Sequence, residues 1–141
     1  MDALLTNFHD QLKKAQGHLA YSFHKVQKLK PVSDNSPEEE LEVWESFASR
    51  FARASDILIS KVLRRLILSK DPAFRGSVID LLNQAEKFQW IESAHDFRRI
   101  GELGNVAAHE YAVNDLQSLY AELIRLTPLV LKVTIDDHTT I

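Results

Sequence analysis

The sequence predicts an all-α protein, an antiparallel bundle of four or five helices. Three observations carry that expectation. Glycine and proline number only four each in 141 residues, too few for a turn-rich β fold. Apolar residues recur at steps of three and four over long stretches, the spacing that keeps one helical face in a core. Ser, Asp and Pro stand where such stretches begin, as helix N-termini favour.

The first helix is expected from Asp2 to Leu29. Leu5, Phe8, Leu12, Ala15, Leu19, Ser22, Val26 and Leu29 form its seam, and Pro31 ends it. "SPEE" opens the second helix, with Ser36 as N-cap, Pro37 in the first turn and Glu39 completing a capping box. Its face holds Leu41, Trp44, Phe47, Phe51, Ala54, Leu58 and Val62. Val43, Ile57, Ile59, Leu63 and Leu66 widen that face enough to make this the central helix. "SKDP" breaks the chain near Asp71 and Pro72, and a shorter helix runs to about Trp90. Ser93, with Asp96 three residues on, starts a fourth helix that ends near Glu110 to Tyr111. "VND" caps a last helix carrying Leu116, Leu119, Tyr120, Leu123 and Leu126. Pro128 is a potential kink, and "LVLKVTI" is read as helix because a lone strand would have no partner. Residues 1–135 then form one helical domain and 136–141 a flexible tail. Trp44 and Trp90, at apolar periodic positions, are expected in the core.

Composition excludes several chemistries. Without cysteine there are no disulfides and no thiolate nucleophile. Histidines 9, 18, 24, 95, 109 and 138 show no tight ligand spacing, so neither a metal nor another cofactor is expected. Glycine-rich phosphate loops and nucleophile elbows are absent. No apolar run reaches membrane-spanning length and no signal peptide is read, so a cytoplasmic protein without membrane contact is expected. A net charge of −3 gives no global attraction to nucleic acid; a polyanion would need a local basic patch. The second helix is the most basic element, with Arg50, Arg53, Lys61, Arg64, Arg65 and Lys70. These residues could extend a phosphate-binding surface, but the favoured reading is a solvated stripe paired with Glu42, Glu45 and Asp56.

One stretch resists a purely structural account. "RRIGELGNVAAHEY", residues 98–111, places Gly101 and Gly104 inside a helix, where each costs about 1 kcal/mol relative to Ala. His95, Arg98, Glu102, Asn105 and His109 follow at offsets of three, four, three and four, hence on one face. The plain reading is a solvent face with an Arg98–Glu102 ion pair. The alternative is a site: imidazole, guanidinium, carboxamide and carboxylate together can bind phosphate and move protons. Phe97, Ile100, Gly104, Ala107, Ala108 and Tyr111 lie opposite, and their small members permit close approach of another helix.

"ELGNVAAHEY" resembles the signature of the HEPN domain family, Arg-Asn, three variable residues, His, one variable residue, Tyr. "VWESFASRFARASD" and "LLNQAEKFQWI" resemble segments of one HEPN subgroup, the toxins paired with small nucleotidyltransferases. The resemblance covers most of residues 37–130 in the family's order. It implies a helical bundle that forms a homodimer across its motif helices, with a small nucleotidyltransferase antitoxin as partner and RNA or a nucleotide as ligand. It also implies metal-independent ribonuclease chemistry. There His109 would act in acid–base catalysis, beside Asn105 and the acidic Glu102, and Tyr111 would be a possible adenylylation acceptor. The motif Arg is missing: its place is Gly104. Arg98 is the expected substitute among the catalytic residues, with Arg99 and His95 as further binding residues. Two readings stay open, a ribonuclease toxin and a catalytically impaired or non-catalytic partner of the nucleotidyltransferase.

Overall fold

The broad apolar face that follows "SPEE" becomes the spine of the molecule. The computed structural model describes residues 2–109 and 115–136. Within them α2 (Glu38–Asp56), a π-helical stretch (Ile57–Leu63) and α3 (Arg64–Lys70) run on as one rod. At about 1.5 Å per residue that rod is about 50 Å long. In the π stretch Ile57, Leu58, Ile59, Val62 and Leu63 are all buried. Three consecutive apolar side chains spread around an α-helix, so the rod must be covered from more than one side here. The wider i→i+5 turns sit at that point of double burial.

α1 (Ala3–Val26) runs antiparallel to the rod, as the cross-links fix: Arg65 pairs with Asp2 at 2.9 Å, Lys61 donates to Gln11 at 3.3 Å, and Arg50 donates to Ser22 at 2.9 Å. The expected seam is realised. Leu5, Leu12, Ala15, Leu19, Ser22 and Val26 are buried, and Phe8 is half-buried. Asp2 caps the helix by accepting the Leu5 N–H at 2.7 Å. α1 stops short of Leu29 because Lys30 precedes Pro31 and is disfavoured in helical geometry. Lys28 and Leu29 instead make tight three-residue turns onto Lys25 and Val26.

The start of α2 differs from expectation. Pro37, in extended geometry, is the N-cap residue and makes no side-chain cap. Ser36 Oγ is diverted into a local turn, accepting the Ser33 N–H at 2.9 Å. Glu38, Glu39 and Glu40 fill the first turn, where negative charge meets the exposed N–H groups.

α4 (Val78–Lys87) opens on a reciprocal capping box between Ser77 and Asp80, a signal the sequence reading passed over. It ends three residues before Trp90. The Gln89 N–H bonds to Glu86 and the Trp90 N–H to Ala85, with Gln89 in left-handed geometry at φ 63°. That is a Schellman ending with glutamine where glycine is usual. Trp90 is half-buried, stacked on Phe88 at 4.8 Å, rather than central like Trp44.

α5 (Ala94–Ala108) is capped by Ser93, whose hydroxyl accepts the Asp96 N–H at 3.1 Å. α6 (Leu116–Lys132) is capped by Asp115, which accepts the Ser118 N–H at 3.1 Å. Helix ends at Lys132 and not through "LVLKVTI". Val133 and Ile135 leave the helix yet stay buried, while Thr134 between them is exposed. Gln16 of α1 holds this exit, its Nε2 donating to the carbonyls of Val130 and Val133 at 3.0 and 2.9 Å.

The buried side chains form one contiguous apolar cluster fed by every helix. Among the described residues all regular structure is helical, and no helix is long and apolar enough to cross a membrane. Residues 110–111, expected at the end of the fourth helix, and residues 137–141 of the expected tail lie outside the described residues.

Candidate functional site

α5 lies antiparallel on the rod, with Gly104 opposite Ser55 and Gly101 opposite Ile59. The two glycines are not equivalent. A Cβ at position 104 would stand 2.6 Å from Ser55 Oγ, closer than atoms approach, with the Ala52 backbone 3.8 Å behind it. At position 101 it would meet only Ile59 Cδ1, at an ordinary 3.5 Å. The close helix approach is therefore set at Gly104, which is buried, while Gly101 stands at its edge.

Beside this contact a groove of about 560 Å³ opens between α2, the π stretch, the first turn of α4 and α5. Arg98, Glu102 and Asn105 line one wall, and Arg53, Asp56 and Ser60 the other. Val78 and Ile79, exposed at 48% and 44%, make an apolar end. The fold thus joins three members of the polar stripe to an arginine from a different helix.

The remaining candidates fall elsewhere. His95 lines a smaller hollow against α4, of about 220 Å³, which shares Arg98 and Ile79 with the main groove. Arg99 turns away toward α6, where its Nε and Nη2 grip the Glu122 carboxylate at 3.0 and 2.5 Å. That grip raises the Arg99 pKa above the ordinary guanidinium value and holds Glu122 below the usual carboxylate value. Arg99 is thereby a helix-to-helix strut. His109 is the C-cap residue of α5, outside helical geometry at φ −129° and ψ 48°, so the four-residue offset from Asn105 no longer places it on the same face. It does not line the groove. Tyr111 lies outside the described residues.

Glu102 takes the Arg98 Nε at 3.4 Å and the Arg99 Nη1 at 3.2 Å, so the expected helical ion pair is present and shared. With Arg99 already held by Glu122, Glu102 balances Arg98, and this wall carries no net charge. Arg53, read from sequence as part of a solvated stripe, makes no ion pair with Glu42, Glu45 or Asp56 among the described residues. Only the packing of α2 against α5 identifies it, although "FARAS" hinted at an arginine flanked by small residues on a contact face. Two guanidinium groups, a carboxamide and a hydroxyl can hold an oxyanion, with the Asp56 and Glu102 carboxylates of the same groove as competing charges. Among the described residues no histidine lines it. Nor, among the described residues, do three or more His, Asp or Glu side chains gather as metal ligands would.

No family model matches the chain, and no curated protein or solved structure matches it.

Proposed function

We propose that the chain is a HEPN-type protein of a toxin–antitoxin-like pair, a catalytically impaired relative that binds RNA or a nucleotide in the α2/α5 groove. Its partner in this reading is a small nucleotidyltransferase, and its working form a homodimer. The observation that carries the reading is the joining of Arg98, Glu102 and Asn105 to Arg53 beside Gly104, where Ser55 Oγ stands in the way of a Cβ. Phosphate can be held by Arg53 and Arg98 from opposite walls. The motif arginine has no counterpart, and loss of one group that stabilises a transition state costs about 10²–10³ in rate. Binding therefore outlasts catalysis in this reading. The ribonuclease reading keeps one support, the presence of Asn105, His109 and Tyr111 at their motif spacing.

The test uses purified protein with defined oligoribonucleotides in EDTA, beside the variants Arg53→Gln, Arg98→Ala and His109→Ala. The expected result is saturable binding weakened by both arginine variants, with intact RNA throughout. Cleavage by the native protein that disappears in His109→Ala would replace this reading with the ribonuclease one. A Gly104→Arg variant must be made with Ser55→Ala, because a Cβ at position 104 would stand 2.6 Å from Ser55 Oγ. The partner is tested by co-purification with the nucleotidyltransferase expected from an adjacent reading frame.

A further inference from the structure

The other side of α2 carries a second cleft, of about 390 Å³, in which α5 takes no part. Its walls are Ala15 and His18 of α1 with Ser46, Ser49, Arg50 and Arg53 of α2. Ser46 and Arg50, and likewise Ser49 and Arg53, are four residues apart, so hydroxyls and guanidinium groups share one helix face. Among the described residues no carboxylate lines the cleft, although the chain has 20 acidic residues against 17 Lys and Arg. Glu39 and Glu42 lie in the next hollow along α2 and make no ion pair with Arg50.

The two arginines are prepared differently. Arg50 is fixed: its Nη1 donates to Ser22 Oγ at 2.9 Å and to the His18 carbonyl at 3.2 Å, and its guanidinium lies 5.8 Å from the Tyr21 ring centre. A guanidinium has five N–H donors, so this anchorage leaves others for a ligand. Arg53 has no hydrogen bond or ion pair to the described residues. It lines both this cleft and the α2/α5 groove. A fixed guanidinium, a second one without a protein partner and two hydroxyls form a cationic cleft with no internal counter-charge.

We propose that the α1/α2 cleft is a phosphate-binding site, with Arg50 and Arg53 as charge partners and Ser46, Ser49 and His18 as hydrogen-bonding groups. The ligand is a phosphate group, whether free phosphate or a phosphodiester of an RNA strand. The site goes beyond the groove reading and stands without it, since His18, Ser46 and Arg50 have no part in the groove. Arg53, facing both, would let a strand crossing α2 place one phosphate on each side.

The test follows His18 ring and arginine Hε signals by NMR in the full chain, during titration with inorganic phosphate and, separately, with a short oligoribonucleotide. Sodium chloride at matched ionic strength is the reference. Saturating shifts at His18, Arg50 and Arg53 are expected, with affinity falling about tenfold or more in Arg53→Gln, as loss of a charged hydrogen bond implies. Arg50 also fastens α1, so Ser46→Ala and Arg53→Gln, which remove no bond within the protein, are the decisive variants. Saturation by phosphate identifies the free anion as a ligand, and tighter saturation of the same signals by the oligonucleotide identifies the strand; either supports the site. Shifts reproduced by chloride, or unchanged in the Ser46→Ala/Arg53→Gln double variant, overturn it. Arg98→Ala must leave the His18 response intact, which separates failure of this site from failure of the groove.

Discussion

Replacing Gly101 and Gly104 separately with alanine should move stability in opposite directions. Each substitution removes the helix penalty of glycine, a gain of about 1 kcal/mol. At position 101 the new methyl meets only Ile59 Cδ1 at 3.5 Å, so the gain survives. The melting temperature of Gly101→Ala should rise by about 3–5 °C, the response of a domain near this size to about 1 kcal/mol. At position 104 the methyl would lie 2.6 Å from Ser55 Oγ. Ser55 must leave its rotamer and its bond to the Ala52 carbonyl at 3.0 Å, or α5 must back away. Overpacking of this kind costs about 1–3 kcal/mol, so Gly104→Ala should be net destabilising by up to about 2 kcal/mol. Ser55→Ala removes the colliding oxygen and leaves the Ser55 Cβ at 3.7 Å, an ordinary contact. The Ser55→Ala/Gly104→Ala double variant should therefore recover stability, with a favourable coupling of about 1–3 kcal/mol in a urea-denaturation cycle. Equal stabilisation by both glycine variants, or a coupling near zero, would refute the close-approach argument.

Three further outcomes are expected. Gln89 occupies left-handed geometry at the end of α4, which costs a residue with a Cβ about 1–2 kcal/mol. Gln89→Gly should stabilise by about 0.5–1 kcal/mol once the greater freedom of unfolded glycine is subtracted, measured by urea midpoint. Glu122 is held below its ordinary value of 4.5 by Arg99, so its contribution is present above that pH and is lost as pH falls through the folded value. Glu122→Gln should lower stability at pH 7 and remove that part of the acid-induced loss below about pH 4.5. Partial exposure of the pair limits the effect to about 1 kcal/mol, read from urea midpoints at pH 7 and pH 3. Gln16→Leu should strand two carbonyls at the exit of α6, costing about 1–2 kcal/mol and speeding amide exchange in residues 130–135.

The helices were legible because three-four periodicity reports burial directly, and the α1 seam is the clearest case. Their ends were less so. Local competitors decide an end: Ser36 had a nearer N–H to accept, and Gln89 took left-handed geometry within the hydrogen bonds that close α4. The site was legible on one helix only. Arg98, Glu102 and Asn105 fell on a common face as their spacing required, and meet in the groove. Arg99, their immediate neighbour, could not be separated from them by spacing, because its fate depends on Glu122 twenty-three residues away. Arg53 stood in sequence only as one cation of a basic helix, since the partner helix that places it at the groove is α5.

Gly104 links the packing of the molecule to its chemistry. The absence of a side chain there lets α5 settle against Ser55 and Ala52, and that approach brings the α5 stripe alongside the turn of α2 that holds Arg53. A side chain at position 104 must first displace Ser55 Oγ. The guanidinium that faces the α5 stripe across the groove is supplied by α2. Arg53, on the rod, also lines the α1/α2 cleft. If both proposed sites bind, their ligand is gripped along α2 and across its two faces, an arrangement suited to retaining a strand or a nucleotide more than to activating one bond.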